Sequence, residues 1–316
     1  MAGRLEGKVV AVTGGGRGIG RAAALRMAEQ GARLVIADYG GPVNSIGQGS
    51  SAPADAVAEE VRKQGGQAVP IHDNVATTRG GQRVTEAALE RFGRLDGLVC
   101  CAGIDPSNRP FWEAPEQEWD EVIAVHLRGH YACARAAIPV MIKQRSGRLV
   151  FISSSASIAS PTVGMGPGTP RAYNAAKAGI LGLMWSTALA VREHGITCNA
   201  LFPGAATRMI DQGLPPTERG ASLRSELAAG SWRDPANVAP IIIYLVSDAG
   251  ARITGQIFGA IGSRIVHFEP VRAREVLQRE PPGWDGHLEE LFQRFPREIG
   301  EELVYRPDPW PPKGPR

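Results

Sequence analysis

The sequence predicts an α/β fold: a doubly wound, Rossmann-like parallel sheet of about seven strands with helices on both faces. Short runs rich in β-branched residues alternate with longer helical patterns along the chain. These runs are almost continuously apolar, as expected of strands that are covered on both faces. A cluster of glycines also stands between the first apolar run and the helical pattern that follows it. The three observations together favour βαβ units around one parallel sheet.

Seven apolar runs are interpreted as strands, with helices in the gaps between them. In chain order they are "KVVAVT" (8–13), "RLVIAD" (33–38), "AVPI" (68–71), "LDGLVCC" (95–101), "GRLVFIS" (147–153), "ITCNALF" (196–202) and "GQIFGA" (255–260). We expect residues 1–263 to form one catalytic domain. Residues 264–316 are predicted to form a C-terminal extension, because they are rich in Pro, Trp and Arg and end in "RPDPWPPKGPR". This extension is expected to be a lid or a subunit contact, with an apolar surface from Trp284, Leu288, Leu291 and Phe292.

The composition narrows the classes of function. With 316 residues, 43% of them hydrophobic, and a net charge of +3, the chain is long enough to bury a large core. Its basic residues are not clustered, which argues against a nucleic-acid partner. No apolar run reaches the roughly 20 residues that span a bilayer and no signal-peptide core is found, so we expect a cytoplasmic protein without a membrane partner. No metal site is predicted, because neither C-x-x-C spacing nor a nearby histidine accompanies Cys100, Cys101, Cys133 and Cys198.

The glycine cluster has the features of a dinucleotide-binding turn. The first strand leads into T-G-x-x-x-G-x-G with Gly14, Gly18 and Gly20, a helix follows, and the second strand ends on Asp38. Glycines let the backbone approach a pyrophosphate closely, and a helix N-terminus offers free N–H groups. An acid at the end of the second strand can accept hydrogen bonds from the ribose hydroxyls. A tight βα turn without a ligand is the alternative, and the combination of strand, helix and acid favours a dinucleotide.

The stretch "AYNAAKAG" places Tyr173 and Lys177 four residues apart, and therefore on one face of a helix. A tyrosine with a pKa of ~10 is a poor base at neutral pH, and lowering that pKa to ~7 requires about 4 kcal/mol. An ammonium at about 4.5 Å contributes roughly 3.7 kcal/mol at an effective dielectric constant of ~20. We therefore expect Lys177 to lower the pKa of Tyr173, so that the phenol acts as a general acid and base.

With these motifs, residues 6–262 resemble the short-chain dehydrogenase/reductase family. In that family the glycine turn binds NAD or NADP, and a Tyr-x-x-x-Lys pair with an upstream serine performs hydride-transfer chemistry. The resemblance implies that Tyr173 is the acid/base, that Lys177 also binds the nicotinamide ribose, and that Ser154 polarises the carbonyl. Ser155 is the alternative serine because the run is "SSSAS". The implied cofactor-binding residues are Gly14, Arg17, Gly18, Ile19, Gly20, Asp38, Asp73, Asn74, Val75, Ala102, Gly103, Tyr173, Lys177, Pro203, Gly204 and Thr207.

The cofactor is predicted to be NAD rather than NADP. Asp38 would accept from the adenosine ribose hydroxyls and repel a 2′-phosphate. Arg17, inside the glycine turn, is the opposing signal, because a basic residue there favours NADP in this family. The acid carries more weight, since it meets the 2′ position directly.

Three departures from the family pattern leave alternatives open. The sequence "VHLRG" has His126 where the family usually has an asparagine that holds a relay water. Histidine can hold that water or relay a proton itself, and a packing role is the alternative. Cys100 and Cys101 replace two asparagines and are expected to preserve strand packing, with a redox switch as the remote alternative. The extra residues "GMGPGTPR" before Tyr173 either project over the substrate or form a tolerated surface loop.

The expected activity is NAD-dependent oxidation or reduction of a small-molecule secondary alcohol or ketone. The stretches "ADYGGPVNSIGQGSSAPADAVAEEVRKQGG", "VHLRGHYACARAAIPVM" and "CNALFPGAATRM" resemble the hydroxyacyl-CoA dehydrogenase domain of peroxisomal multifunctional enzymes and their bacterial relatives. This resemblance implies a 3-hydroxyacyl thioester as substrate and a homo-oligomer, either a dimer or a tetramer. A cyclic or steroid-like alcohol is the alternative substrate, and a non-catalytic dinucleotide sensor is the alternative function.

Overall fold

The computed structural model describes residues 3–106, 110–158, 171–211 and 224–269, together with residues 290, 293 and 294. A single eight-stranded sheet, in the order β3-β2-β1-β4-β5-β6-β7-β8, forms its centre. The strands are β1 Val9–Thr13, β2 Arg33–Ala37, β3 Gln67–Ile71, β4 Gly97–Cys100, β5 Gly147–Ile152, β6 Ile196–Gly204, β7 Ile257–Ile261 and β8 Arg264–Phe268. All neighbouring strands from β3 to β7 pair in parallel, and β8 returns antiparallel to β7.

Helices alternate with the strands as predicted. They are α1 Gly18–Glu29, α2 Ala52–Lys63, α3 Thr78–Phe92, α4 Glu116–Ile123, α5 Gly129–Gln144, α6 Ala172–Val191, α7 Arg208–Asp211 and α8 Ala239–Val246. A π-helical turn, Ala124–Arg128, connects α4 directly to α5. Within the described part of the chain, no helix is both long and apolar enough to cross a bilayer.

Both faces of the sheet are covered, which confirms the predicted doubly wound fold. Along β1, Val10 and Val12 belong to a core that includes Met27 of α1. Successive strand side chains point to opposite faces, and Val9 and Ala11 are also fully buried. Helices therefore cover the second face as well, as expected for a parallel sheet.

The eighth strand is a difference from the seven-strand prediction. Residues 264–268, which were assigned to the C-terminal extension, form β8 at the edge of the sheet. Gly262, with a φ of +54°, allows the tight turn that brings β8 back along β7. Most of the proposed extension, including its lid residues Trp284, Leu288, Leu291 and Phe292, lies outside the described residues, as does the "GMGPGTPR" insertion except for Arg171.

The strand order determines where a ligand can bind. Chain connections run from β1 outward to β2 and β3, and then cross back to β4 on the other side of β1. In open parallel sheets, this reversal leaves a crevice at the carboxyl ends of the strands. Thr13, Asp38, Ala102, Ser154 and Thr207 all follow or end strands at that edge.

Candidate active site

The crevice is a cavity of ≈ 570 Å³ lined by most of the predicted site residues. The predicted residues at its wall are Gly14, Arg17, Gly18, Ile19, Asp38, Asn74, Val75, Ala102, Gly103, His126, Ser154, Tyr173, Lys177, Pro203 and Thr207. Three further predicted residues, Gly20, Asp73 and Gly204, do not line it. Gly20 lies inside α1, where a Cβ would stand 2.1 Å from the Gly14 carbonyl oxygen, so the position needs glycine for packing.

The glycine turn fits a dinucleotide. Gly14, at a φ of +65°, packs so closely on the end of β4 that a Cβ would lie 2.8 Å from the Ala102 backbone. Arg17 is the N-cap of α1 but makes no side-chain capping hydrogen bond, which leaves N–H groups of the first turn available to a phosphate. The Asp38 carboxylate is held in place by the N–H groups of Gly16 at 2.9 Å and Gly40 at 2.8 Å. Its remaining lone pairs are available to ribose hydroxyls.

The loop after β2 adds a wall to this cleft that the sequence did not predict. Between Tyr39 and Ile46, residues of this loop line the cavity. Arg17 and Arg208 both donate to the Gly41 carbonyl oxygen, with shortest distances of 3.1 and 3.3 Å. Burial, and then the nearby Arg17 charge, lower the pKa of Arg208. The only available signal for Arg208 was its position next to the predicted Thr207.

The three predicted catalytic groups lie together at the other end of the cavity. Tyr173, in the first turn of α6, and Ser154, two residues after the last residue of β5, both line the cavity. Ser155 begins a short 3-10 helix and does not line the cavity. The Lys177 Nζ donates to the Ile152 carbonyl oxygen at 2.7 Å and lies 5.4 Å from the centroid of the Tyr173 ring. Because Tyr173 and Lys177 are four residues apart in α6, they share one face of the helix, which places the ammonium beside the ring, as predicted.

The pKa of Tyr173 differs from the expected one. Burial raises it to about 12, although the hydrogen bond from Ser154 acts in the opposite direction. Burial lowers the pKa of Lys177 to about 8. The expectation that Lys177 lowers the pKa of Tyr173 is therefore wrong here, because the ammonium is directed at the Ile152 carbonyl oxygen and the enclosure of the phenol dominates. At neutral pH the phenol is protonated.

His126 lies in the π-helical turn and is completely buried. Its Nε2 is 2.6 Å from the Ile104 carbonyl oxygen, and its ring meets the Tyr173 ring edge-to-face at 5.2 Å. Burial keeps the pKa of His126 well below its usual value of 6.5, so the ring is neutral. With the proton on Nε2, the buried Nδ1 is an acceptor, and none of the described groups donates to it. The ring thus packs against Tyr173 and keeps one acceptor for a donor such as water.

The vicinal cysteines do not have the properties of a redox switch. Burial, and then a hydrogen bond with Cys133, raise the pKa of Cys100 well above its usual value. Cys101 lines the cavity, and burial raises the pKa of its thiol to about 11. Reactive cysteines need a substantial thiolate fraction, which both thiols lack at neutral pH.

Two further charged residues at the cavity wall, besides Arg208, were not predicted. The Arg171 guanidinium binds both Asp105 carboxylate oxygens, at 2.7 and 2.8 Å, and its Cζ lies 5.4 Å from the Tyr173 ring centroid. The two residues are 66 positions apart in the chain, and neither belongs to a motif that marks it.

The fold and the site define the class of dinucleotide-dependent α/β oxidoreductases. A family model described as enoyl-(acyl carrier protein) reductase matches residues 14–260. This chain belongs to the short-chain dehydrogenase/reductase family, as the motifs predicted. The family model and the relatives carry the names of reductases and dehydrogenases, that is, of oxidoreductases.

Similarity to individual proteins agrees with this assignment. The chain is 39% identical over 246 residues to mouse peroxisomal multifunctional enzyme type 2, a match that covers 78% of this chain and 30% of that enzyme. It therefore spans less than a third of the enzyme's length. A crystal structure of a short-chain dehydrogenase from Mycobacterium avium superposes with a TM-score of 0.71 at 32% identity, covering 93% of this chain and 97% of the other. Carveol dehydrogenase from Mycobacterium avium, in complex with NAD, has a TM-score of 0.70 at 25% identity, with coverages of 81% and 97%.

Proposed function

We propose that this chain is an NAD-dependent dehydrogenase that interconverts the secondary alcohol and the ketone of a 3-hydroxyacyl thioester, with Tyr173 as general acid and base. The observation that carries this proposal is that Tyr173, Ser154 and Lys177 line one cavity together with Asp38, with the Lys177 Nζ 5.4 Å from the Tyr173 ring centroid. A dinucleotide turn and a proton donor thus share one enclosed space. Both are needed for hydride transfer to or from a carbinol carbon.

Each catalytic side chain has a separate task. The paired hydroxyls of Ser154 and Tyr173 can both donate to one substrate oxygen, which stabilises the negative charge that develops there during reduction. In ketone reduction, the protonated Tyr173 phenol then transfers its proton to that oxygen. The nicotinamide, when bound, supplies or accepts the hydride. Lys177 is suited to bind the cofactor's ribose hydroxyls, since its ammonium already lies beside the Tyr173 ring.

The direction of the pH dependence follows from the protonation state of the phenol. Alcohol oxidation needs Tyr173 without its proton, and burial holds the pKa of this group at about 12 in the free site. Oxidation should therefore accelerate as pH rises, whereas ketone reduction should be fastest at lower pH. A positively charged nicotinamide near the phenol favours the phenolate, so the ionisation should appear at lower pH in the complex with NAD.

A preference for NAD over NADP is supported by the position of Asp38. Its carboxylate is fixed by the N–H groups of Gly16 and Gly40, at the place where the ribose hydroxyls would bind. Losing charge-assisted hydrogen bonds of ~1.5 to 3 kcal/mol corresponds to at least ~10-fold discrimination against a 2′-phosphate. Arg17 and Arg208 oppose this preference, but both guanidiniums already donate to Gly41.

A 3-hydroxyacyl thioester as substrate is supported by the amino-acid sequence of the loop after β2 and of the stretches around His126 and Thr207. The similarity to the mouse multifunctional enzyme also supports it. A cyclic alcohol is the second candidate, and the likeness to carveol dehydrogenase favours it. Cytoplasmic localisation, which the apolar patterning of the sequence suggests, and assembly into a homo-oligomer, which rests on the family resemblance, complete the proposal.

The test compares Tyr173→Phe with the wild type on 3-hydroxybutyryl-CoA and on carveol, each with NAD. Phenylalanine keeps the ring that packs against His126 but lacks the proton, so kcat should fall by ~10² to 10⁴ or more while NADH affinity is retained. Tyr244→Phe, on the exposed surface of α8, is the matched control and should match the wild type. A Tyr173→Phe variant within about threefold of the wild-type kcat would refute the proposed role.

A further inference from the structure

Three side chains lie against the Tyr173 ring, and neighbouring segments of the chain hold them in place. His126 meets it edge-to-face at 5.2 Å, and the Arg171 and Lys177 cations each lie 5.4 Å from its centroid. Two of these three groups are held by consecutive residues of the segment after β4. The His126 Nε2–H donates to the Ile104 carbonyl oxygen at 2.6 Å, and the Asp105 carboxylate accepts from Arg171.

The Asp105–Arg171 pair is enclosed and geometrically specific. Only 16% of the Asp105 side chain and 20% of the Arg171 side chain are exposed. One nitrogen of the planar Arg171 guanidinium, Nη1, lies within hydrogen-bond distance of both Asp105 carboxylate oxygens, which holds the two charges in direct contact. The Asp105 N–H also donates to the Val43 carbonyl oxygen at 2.8 Å, so the same residue contacts the loop that lines the dinucleotide cleft.

We propose that Asp105 and Arg171 are a positioning pair for the catalytic reaction, which orients the Tyr173 ring and links it to the loop after β2. The proposal rests on the function proposed above, since it assumes that Tyr173 exchanges the proton. Neither residue is expected to contact the reacting atoms. Their effect passes through the position and the charge environment of the phenol.

The charges of the pair act on Tyr173 in opposite directions. Asp105 raises the pKa of the phenol and Arg171 lowers it, in addition to the dominant effect of burial. Among the residues that the structure describes, the titratable, charged or hydrogen-bonding groups that face the phenol are Ser154, Asp105, Arg171, Cys101, Lys177 and His126. Removing one member of the pair should therefore shift the ionisation of Tyr173 with a sign that depends on which member is removed. A purely structural defect would move both variants in the same direction.

The experiment measures kcat for oxidation of 3-hydroxybutyryl-CoA against pH, at saturating NAD, for matched variants. Arg171→Gln should shift the ionisation upward by ~1 pH unit and Asp105→Asn should shift it downward by ~1 pH unit. The double variant should return close to the wild-type pH profile, because both charges are absent, while its kcat stays ~10-fold low. Arg171→Lys keeps the charge but replaces the planar guanidinium with a flexible ammonium, so its pH profile should stay near wild type while its kcat falls.

Controls separate this proposal from folding defects and from the proposed function itself. Arg26→Gln removes an exposed ion pair with Glu29 on α1 and should leave kcat and its pH profile unchanged. NADH affinity and the thermal midpoint of unfolding are measured for every variant. If Arg171→Gln does not fold, the pH profile of Asp105→Asn alone tests the proposal, which then requires a downward shift. Shifts of equal sign, or no shift in either variant, would overturn the positioning role while an inactive Tyr173→Phe leaves the proposed function intact. An active Tyr173→Phe overturns the proposed function first.

Discussion

Replacing Lys177 with methionine tests how strongly the site destabilises a buried charge. Lys177 is only 4% exposed, and burial lowers its pKa from 10.5 to about 8. At pH values between these two pKa values, Lys177 is protonated in the unfolded chain but not in the folded enzyme, so the free energy of unfolding of the wild type rises with pH. At pH 7 the folded state carries nearly the full free-energy cost of burying the charged ammonium, and at pH 9.5 most of that cost is relieved. Integration between these two pH values gives about 2 kcal/mol of stability gained by the wild type.

The assay is urea unfolding of the cofactor-free wild type and of Lys177→Met at intervals from pH 7 to pH 9.5. Lost packing and the lost hydrogen bond to Ile152 change the stability of the variant by an amount that does not depend on pH, so they cancel in the comparison. The free energy of unfolding of the wild type should gain about 2 kcal/mol relative to Lys177→Met over this range. Lys143→Met, a solvated surface control on α5, should show no such trend. A difference between wild type and Lys177→Met that is flat with pH would refute the reasoning.

Three other experiments, with three substitutions and one truncation, test the remaining parts of the site. His126→Asn should retain much of the turnover. His126→Ala should lower the turnover at unchanged NADH affinity, because the Nδ1 acceptor, which has no partner among the described groups, is lost. A fully active alanine variant would leave only a packing role for His126. Asp38→Asn keeps the shape of the side chain and should reduce the ratio of kcat/KM with NAD to kcat/KM with NADP by ~10-fold or more. Equal turnover of the wild type with NADP and with NAD would contradict the preference for NAD. Removing residues 270–316 spares β8 and should weaken substrate binding more than NADH binding, and unchanged kinetics would rule out a lid.

Local patterns were sufficient for the fold and for the glycine turn at the carboxyl edge of the sheet. Apolar β-branched runs identified all seven parallel strands, because covered parallel strands are apolar along their whole length. Glycine spacing identified the turn at Gly14, since only glycine permits that close approach to Ala102. β8 was missed because its short sequence becomes a strand only by pairing with β7 beyond the Gly262 turn.

The amino-acid sequence by itself determined which residue types reach the carboxyl edge of the sheet, including Tyr173 and Lys177 one helical turn apart. Only the tertiary structure decided what surrounds them. The Lys177 ammonium is directed at the Ile152 carbonyl, burial sets the pKa of Tyr173, and Asp105 meets Arg171 from 66 residues away. Spacing along a helix encodes proximity between i and i+4, whereas desolvation and long-range ion pairs depend on elements that meet only after the chain has folded.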